Sequence, residues 1–98
     1  MILSNEPGFY KEGAFGIRIE NLLSVGVADL PEAANLTRLL EFETLTYVPI
    51  DLRMVISDWL DLSEKAWINA YHQKCWDLHQ DQLSSSAAQW LGHATKAL

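Results

Sequence analysis

Two carboxylates stand out in the chain. Glu6 lies in Ser4-Asn5-Glu6-Pro7-Gly8-Phe9-Tyr10, and Glu20 lies fourteen positions on, in Phe15-Gly16-Ile17-Arg18-Ile19-Glu20-Asn21. A glutamate set among isoleucine and leucine is costly to bury unless a partner or a cation compensates it. Arg18 and Glu20 are two apart, so on a strand they leave the same face, while Ile17 and Ile19 point to the other. Taken alone, Arg18 and Glu20 fit a same-face ion pair at the surface, worth little, or a wetted polar face. Glu6 alone fits an extended, solvated residue held before a proline.

Strands must carry both carboxylates. The apolar run at residues 1–5 stops at Pro7-Gly8, a turn signal, and residues 8–15 read as a loop. Gly16 to Val27, rich in Ile, Leu and Val, reads as one strand, bulged or ended near Gly26. Residues 28–40, with Pro31, read as a connection holding at most a helical turn. Phe42 to Val48 alternates as a second strand, closed by Pro49. From about Ser57 the period changes. Ser63 is the expected cap of a helix with Glu64 in its first turn. Trp67, Tyr71, Cys75 and Leu78 then form one apolar stripe through about residue 83. Ser84-Ser85-Ser86 breaks that pattern and caps a last helix, Ala87 to Ala94, with Trp90 and Leu91 facing inward. Strands first and helices last give an α+β chain, divided as residues 1–56 (strands) and 57–98 (helical tail).

Composition narrows the function. The chain has 98 residues, 49% of them apolar, which suits a packed piece of at most one domain. A net charge of −6 without a basic stripe argues against nucleic acid. No apolar run approaches the ~20 residues of a membrane-spanning helix, and the N-terminus lacks the pattern of a signal peptide. A single cysteine, Cys75, rules out an internal disulfide and suits a reducing, cytoplasmic setting.

The two acidic segments together resemble the last two metal-ligand strands of aminopeptidase P, the Xaa-Pro aminopeptidases of peptidase family M24. The likeness continues in order through Phe42-Glu43-Thr44-Leu45-Thr46-Tyr47-Val48-Pro49-Ile50-Asp51, Trp67-Ile68-Asn69-Ala70-Tyr71-His72, and Trp90-Leu91 with Ala94-Thr95. It implies the C-terminal portion of a pita-bread fold, antiparallel strands followed by two tail helices. It also implies a centre of two divalent ions, usually Mn²⁺, that releases the first residue of Xaa-Pro peptides. By this resemblance Glu6 is a metal ligand and proton shuttle, Glu20 the carboxylate shared by both ions, and Arg18 the arginine beside it. Three further ligands, two aspartates and a histidine, are expected upstream, so the 98-residue chain by itself is expected to be inactive. The long tail after Pro49 resembles aminopeptidase P more than creatinase or methionine aminopeptidase.

Other residues carry less. Cys75 reads as a small core hydrophobe. His72 and His79, seven apart, read as surface or partly packed residues; His72 falls at the Tyr-His position of the family's tail. Trp67 and Trp90 read as core, while Trp76 could belong to a patch. Phe9 and Tyr10 fit either an aromatic plug over the strand ends or, by the resemblance, a loop near the substrate cleft. Two other functions compete with catalysis. One is an assembly module, in which an unpaired strand edge pairs with another copy or with a separate N-terminal part. The other is an acidic cation-binding domain without catalysis.

Overall fold

The computed structural model describes residues 1–29, 31 and 39–98. The connection expected over residues 28–40 lies largely outside the described residues. Two compact units form, Met1–Thr46 and Tyr47–Leu98.

The first unit is built of antiparallel strands. β1 (Ile2–Asn5) pairs with β4 (Asn21–Val27), and β4 pairs with β5 (Leu40–Thr44), in the order β1-β4-β5. β2 (Gly8–Lys11) pairs with β3 (Phe15–Arg18). Residues 8–15 are therefore the outer part of a hairpin and not a loop. Its three-residue turn closes with the Ala14 amide donating to the Lys11 carbonyl at 3.0 Å. Gly13 takes a left-handed φ of 68° there, a conformation that glycine adopts without a Cβ clash. The expected single strand over Gly16 to Val27 is two strands, interrupted at Ile19 and Glu20.

Cross-strand partners assign the faces. Leu3, Leu23, Val25, Val27, Leu40 and Phe42 share one face of the three-stranded sheet, by their register across β4. Ile2, Ser4, Leu22, Ser24, Glu41 and Glu43 share the other. Leu23 is the buried strand residue among those described, at 8% exposure.

The second unit joins an extended segment to two helices. α1 (Leu62–His79) is capped by Asp61, whose carboxylate accepts from the Glu64 amide at 2.8 Å while the Glu64 carboxylate accepts from the Asp61 amide at 2.9 Å. This reciprocal box, and not Ser63, sets the helix start; Ser63 donates its hydroxyl to Asp61 at 2.7 Å. α1 gives way to a short 3-10 turn at Gln80–Gln82. α2 (Ser85–Ala94) begins two residues before the expected start, with Ser84 as its cap.

Only the middle of the α1 stripe is buried. Tyr71 and Cys75 are in the core with Leu91 of α2. Trp67 stays half exposed, its ring stacked on Tyr71 with centroids 5.4 Å apart. Trp90, expected to face inward, is 63% exposed, because its neighbour Leu91 takes the inward position. Trp76 is half-buried beside Gly92, where a Cβ would meet its ring at 3.5 Å. His72, expected at or near the surface, has no exposure at all.

The reason lies in the segment that sequence patterning assigned to a strand. β5 ends at Thr44 rather than Val48. Beyond it, three α1 side chains take the backbone bonds of residues 47–50. His79 Nε2 lies 3.0 Å from the Tyr47 carbonyl, and the Tyr71 hydroxyl both accepts from the Val48 amide at 3.1 Å and donates to the Val48 carbonyl at 2.9 Å. The Ile50 amide donates to His72 Nε2 at 3.0 Å. A buried backbone group must find a partner, and here helix side chains supply it.

Candidate metal centre

The register of the strands decides where Glu6 and Glu20 stand. Asn5 pairs with Asn21 and Gly8 pairs with Arg18. No residue is gained or lost between these two pairs, so Glu6 lies opposite Glu20 and Pro7 opposite Ile19. β1–β2 and β3–β4 are thus one long hairpin with a gap in its ladder.

Proline makes the gap. Hydrogen-bonded pairs alternate along an antiparallel ladder and normally exchange two bonds. The Val25 amide donates to the Met1 carbonyl at 2.8 Å, which fixes the phase and makes Pro7–Ile19 such a pair. The Ile19 amide does donate to the Pro7 carbonyl, at 3.1 Å. The return bond is missing because proline has no N–H. Glu6 and Glu20 therefore occupy a non-hydrogen-bonded pair, the closer kind, with Cα atoms about 4.5 Å apart in regular ladders. Both side chains leave the same face.

Among the described residues each carboxylate has one side-chain partner, two residues away along the chain. The Ser4 hydroxyl donates to Glu6 Oε2 at 2.6 Å. Arg18 Nε lies 3.4 Å from Glu20 Oε2, with both side chains near half exposed, so the pair adds little stability. Two like charges directly opposite on a sheet repel.

Tyr10 occupies the same face, a placement that the sequence left open. A Cβ on Gly8 would come within 2.7 Å of the Tyr10 hydroxyl, and one on Gly16 within 2.7 Å of its ring. The ring therefore lies flat over two glycines, with its hydroxyl end at Gly8, the partner of Arg18. The glycines that suggested a loop are the space that this ring fills.

Oxygen donors facing each other suit a hard divalent cation. The donor set is incomplete, however: among the described residues no three His, Cys, Asp or Glu side chains gather as a metal site. His72 and His79 do not add to it, since both are engaged with the backbone of residues 47–50.

Antiparallel strands followed by two helices match part of the pita-bread fold. Residues 38–98 match the model of the C-terminal region of peptidase family M24, and the chain belongs to that family. Over its full length the chain is 44% identical to aminopeptidase P2 of Arabidopsis thaliana, covering 14% of that protein. It is 37% identical to aminopeptidase P1 of Lotus japonicus, over 98% of this chain and 15% of that protein. The fold matches the crystal structure of X-prolyl aminopeptidase from Caenorhabditis elegans, described as a cytosolic enzyme with a di-nuclear active site. That match has a TM-score of 0.82 and 31% identity, over 99% of this chain and 16% of that one. The chain thus spans about one-seventh of the length of the relatives it resembles. Glu6, Arg18 and Glu20 precede the segment matched by the family model and lie within the aligned relatives.

Proposed function

We propose that this chain supplies Glu6 and Glu20 to the two-metal centre of an Xaa-Pro aminopeptidase, with donors from a further polypeptide segment completing the site. The observation that carries this reading is the placement of two glutamates directly opposite each other beside a proline-made ladder gap. Bound divalent ions, Mn²⁺ in this reading, supply Lewis acidity and an acidified water. Glu6 and Glu20 hold the ions through carboxylate oxygens. Glu6, one oxygen of which accepts from Ser4, takes and returns a proton at the other. Arg18 orients Glu20. In this reading residues 1–56 close the catalytic domain, its last strand ending at Thr44, and residues 57–98 form its helical tail. The names of the Xaa-Pro aminopeptidase relatives support this substrate class, and the description of the Caenorhabditis elegans enzyme as cytosolic supports a cytosolic location.

The test is Mn²⁺-dependent release of the first residue from an Xaa-Pro peptide, by this chain alone and then mixed with an upstream segment of an aminopeptidase P. Activity confined to the mixture supports the reading. Inactivity of both, with no Mn²⁺ response, overturns it.

A second reading, assembly without catalysis, draws on the exposed apolar face of the first unit, where Val27, Leu40 and Phe42 are 65–67% exposed. The outer edges of β1 and β5 also lack a strand neighbour among the described residues. A monomer that persists at high concentration in light scattering counts against it.

A further inference from the structure

Glu20 sits outside both ladder segments, so the chain on either side must hold it. Toward the N-terminus the support is Ile19, with its single bond to Pro7. Toward the C-terminus it is Leu22. In the register that pairs Leu23 with Thr44, Leu22 stands opposite Leu45. A regular pair at this phase exchanges two backbone bonds. One is present, the Leu45 amide donating to the Leu22 carbonyl at 2.8 Å. The other partner differs, because the Leu22 amide donates to the Thr46 hydroxyl oxygen at 2.9 Å. β5 has ended at Thr44, and a side-chain oxygen stands where a strand carbonyl would otherwise accept.

We propose that Thr46 is a positioning residue, which keeps Glu20 opposite Glu6 by anchoring β4 two residues beyond the carboxylate. The proposal deepens the reading of Glu6 and Glu20 as cation ligands and rests on it. Groups that orient ligands without touching the metal still control its affinity, because they fix where the ligand oxygens sit. A strand already short of a ladder bond at Pro7 depends more on each anchor that remains. Valine has the shape of threonine but cannot accept the bond, whereas serine can.

The experiment compares the full 98-residue chain with Thr46→Val and Thr46→Ser. Three readouts are followed by NMR: exchange of the Leu22 amide, the α-proton contact between Glu6 and Glu20, and line broadening at these two residues on titration with Mn²⁺ alone. In Thr46→Val, Leu22 exchange rises about tenfold and the cross-strand contact weakens. The apparent Mn²⁺ affinity falls about tenfold, and the melting temperature changes little. Thr46→Ser restores all three. Unchanged Leu22 exchange and an intact Glu6–Glu20 contact in Thr46→Val overturn the proposal, as does a serine variant that behaves like valine. If Mn²⁺ broadens neither residue, in the parent chain or in its mixture with an upstream aminopeptidase P segment, the cation-site reading fails. The exchange and contact readouts then decide the role of Thr46 on their own.

Discussion

The Ile50 amide points its proton at His72 Nε2, 3.0 Å away, and so requires that nitrogen to be unprotonated. The neutral ring then carries its proton on Nδ1, a buried atom with no hydrogen-bond partner among the described residues. Burial holds the His72 pKa below its ordinary 6.5. Unfolded chains take up this proton below about pH 6.5 while the folded protein resists it, so the unfolded state binds more protons in that window. The contribution is complete above that pH and is lost as the pH falls toward the folded pKa. Thermal melts across about pH 5 to 8 should show this acid-side loss in the parent chain and a flatter profile in His72→Phe.

Tyr71→Phe removes a hydroxyl that serves Val48 twice, as acceptor and as donor. Leaving part-buried backbone groups without partners costs about 1–3 kcal/mol each at full burial, so a loss near the lower end is expected. Denaturant titration gives the loss, and the Val48 amide should exchange faster than in the parent chain.

Replacing Glu6 or Glu20 by Gln removes half of a repelling pair. Without metal the variants should be as stable as the parent or slightly more so, since like charges opposite on a sheet destabilise it. With Mn²⁺ and an upstream aminopeptidase P segment added to complete the donor set, the parent should gain melting temperature and both variants should lose that gain. Equal gains in all three would reject Glu6 and Glu20 as ligands.

The Tyr10 ring over Gly8 and Gly16 should shift the α-protons of both glycines upfield by its ring current. Tyr10→Leu should return them to ordinary positions. Gly16→Ala should displace the ring, since the new methyl would meet it at 2.7 Å.

Much of this was legible in residue patterns. The Ile, Leu and Val enrichment up to Val27 marks strand, and the serine run marks the start of α2. The likeness to aminopeptidase P picked out Glu6 and Glu20. Their opposition was not legible, because it depends on register, and register appears only when two distant segments pair. Gly8, Gly13 and Gly16 punctuate the chain like a loop, yet only Gly13 makes the turn; the other two make room for Tyr10. Likewise Tyr47 and Val48 read as the end of a strand, but the backbone from Tyr47 to Ile50 is claimed by Tyr71, His72 and His79. Periodicity reports which side chains share a face. It does not report whether the backbone partner is a strand or a helix.

The lone thiol gives the molecule an internal clock. Cys75 has no exposure and sits at the centre of the second unit, and burial raises its pKa, which further suppresses the reactive thiolate. A thiol reagent can therefore modify the chain only when α1 lets it in. With excess reagent and fast modification, the labelling rate becomes the opening rate of that unit, read from a single native atom without a probe or a mutation.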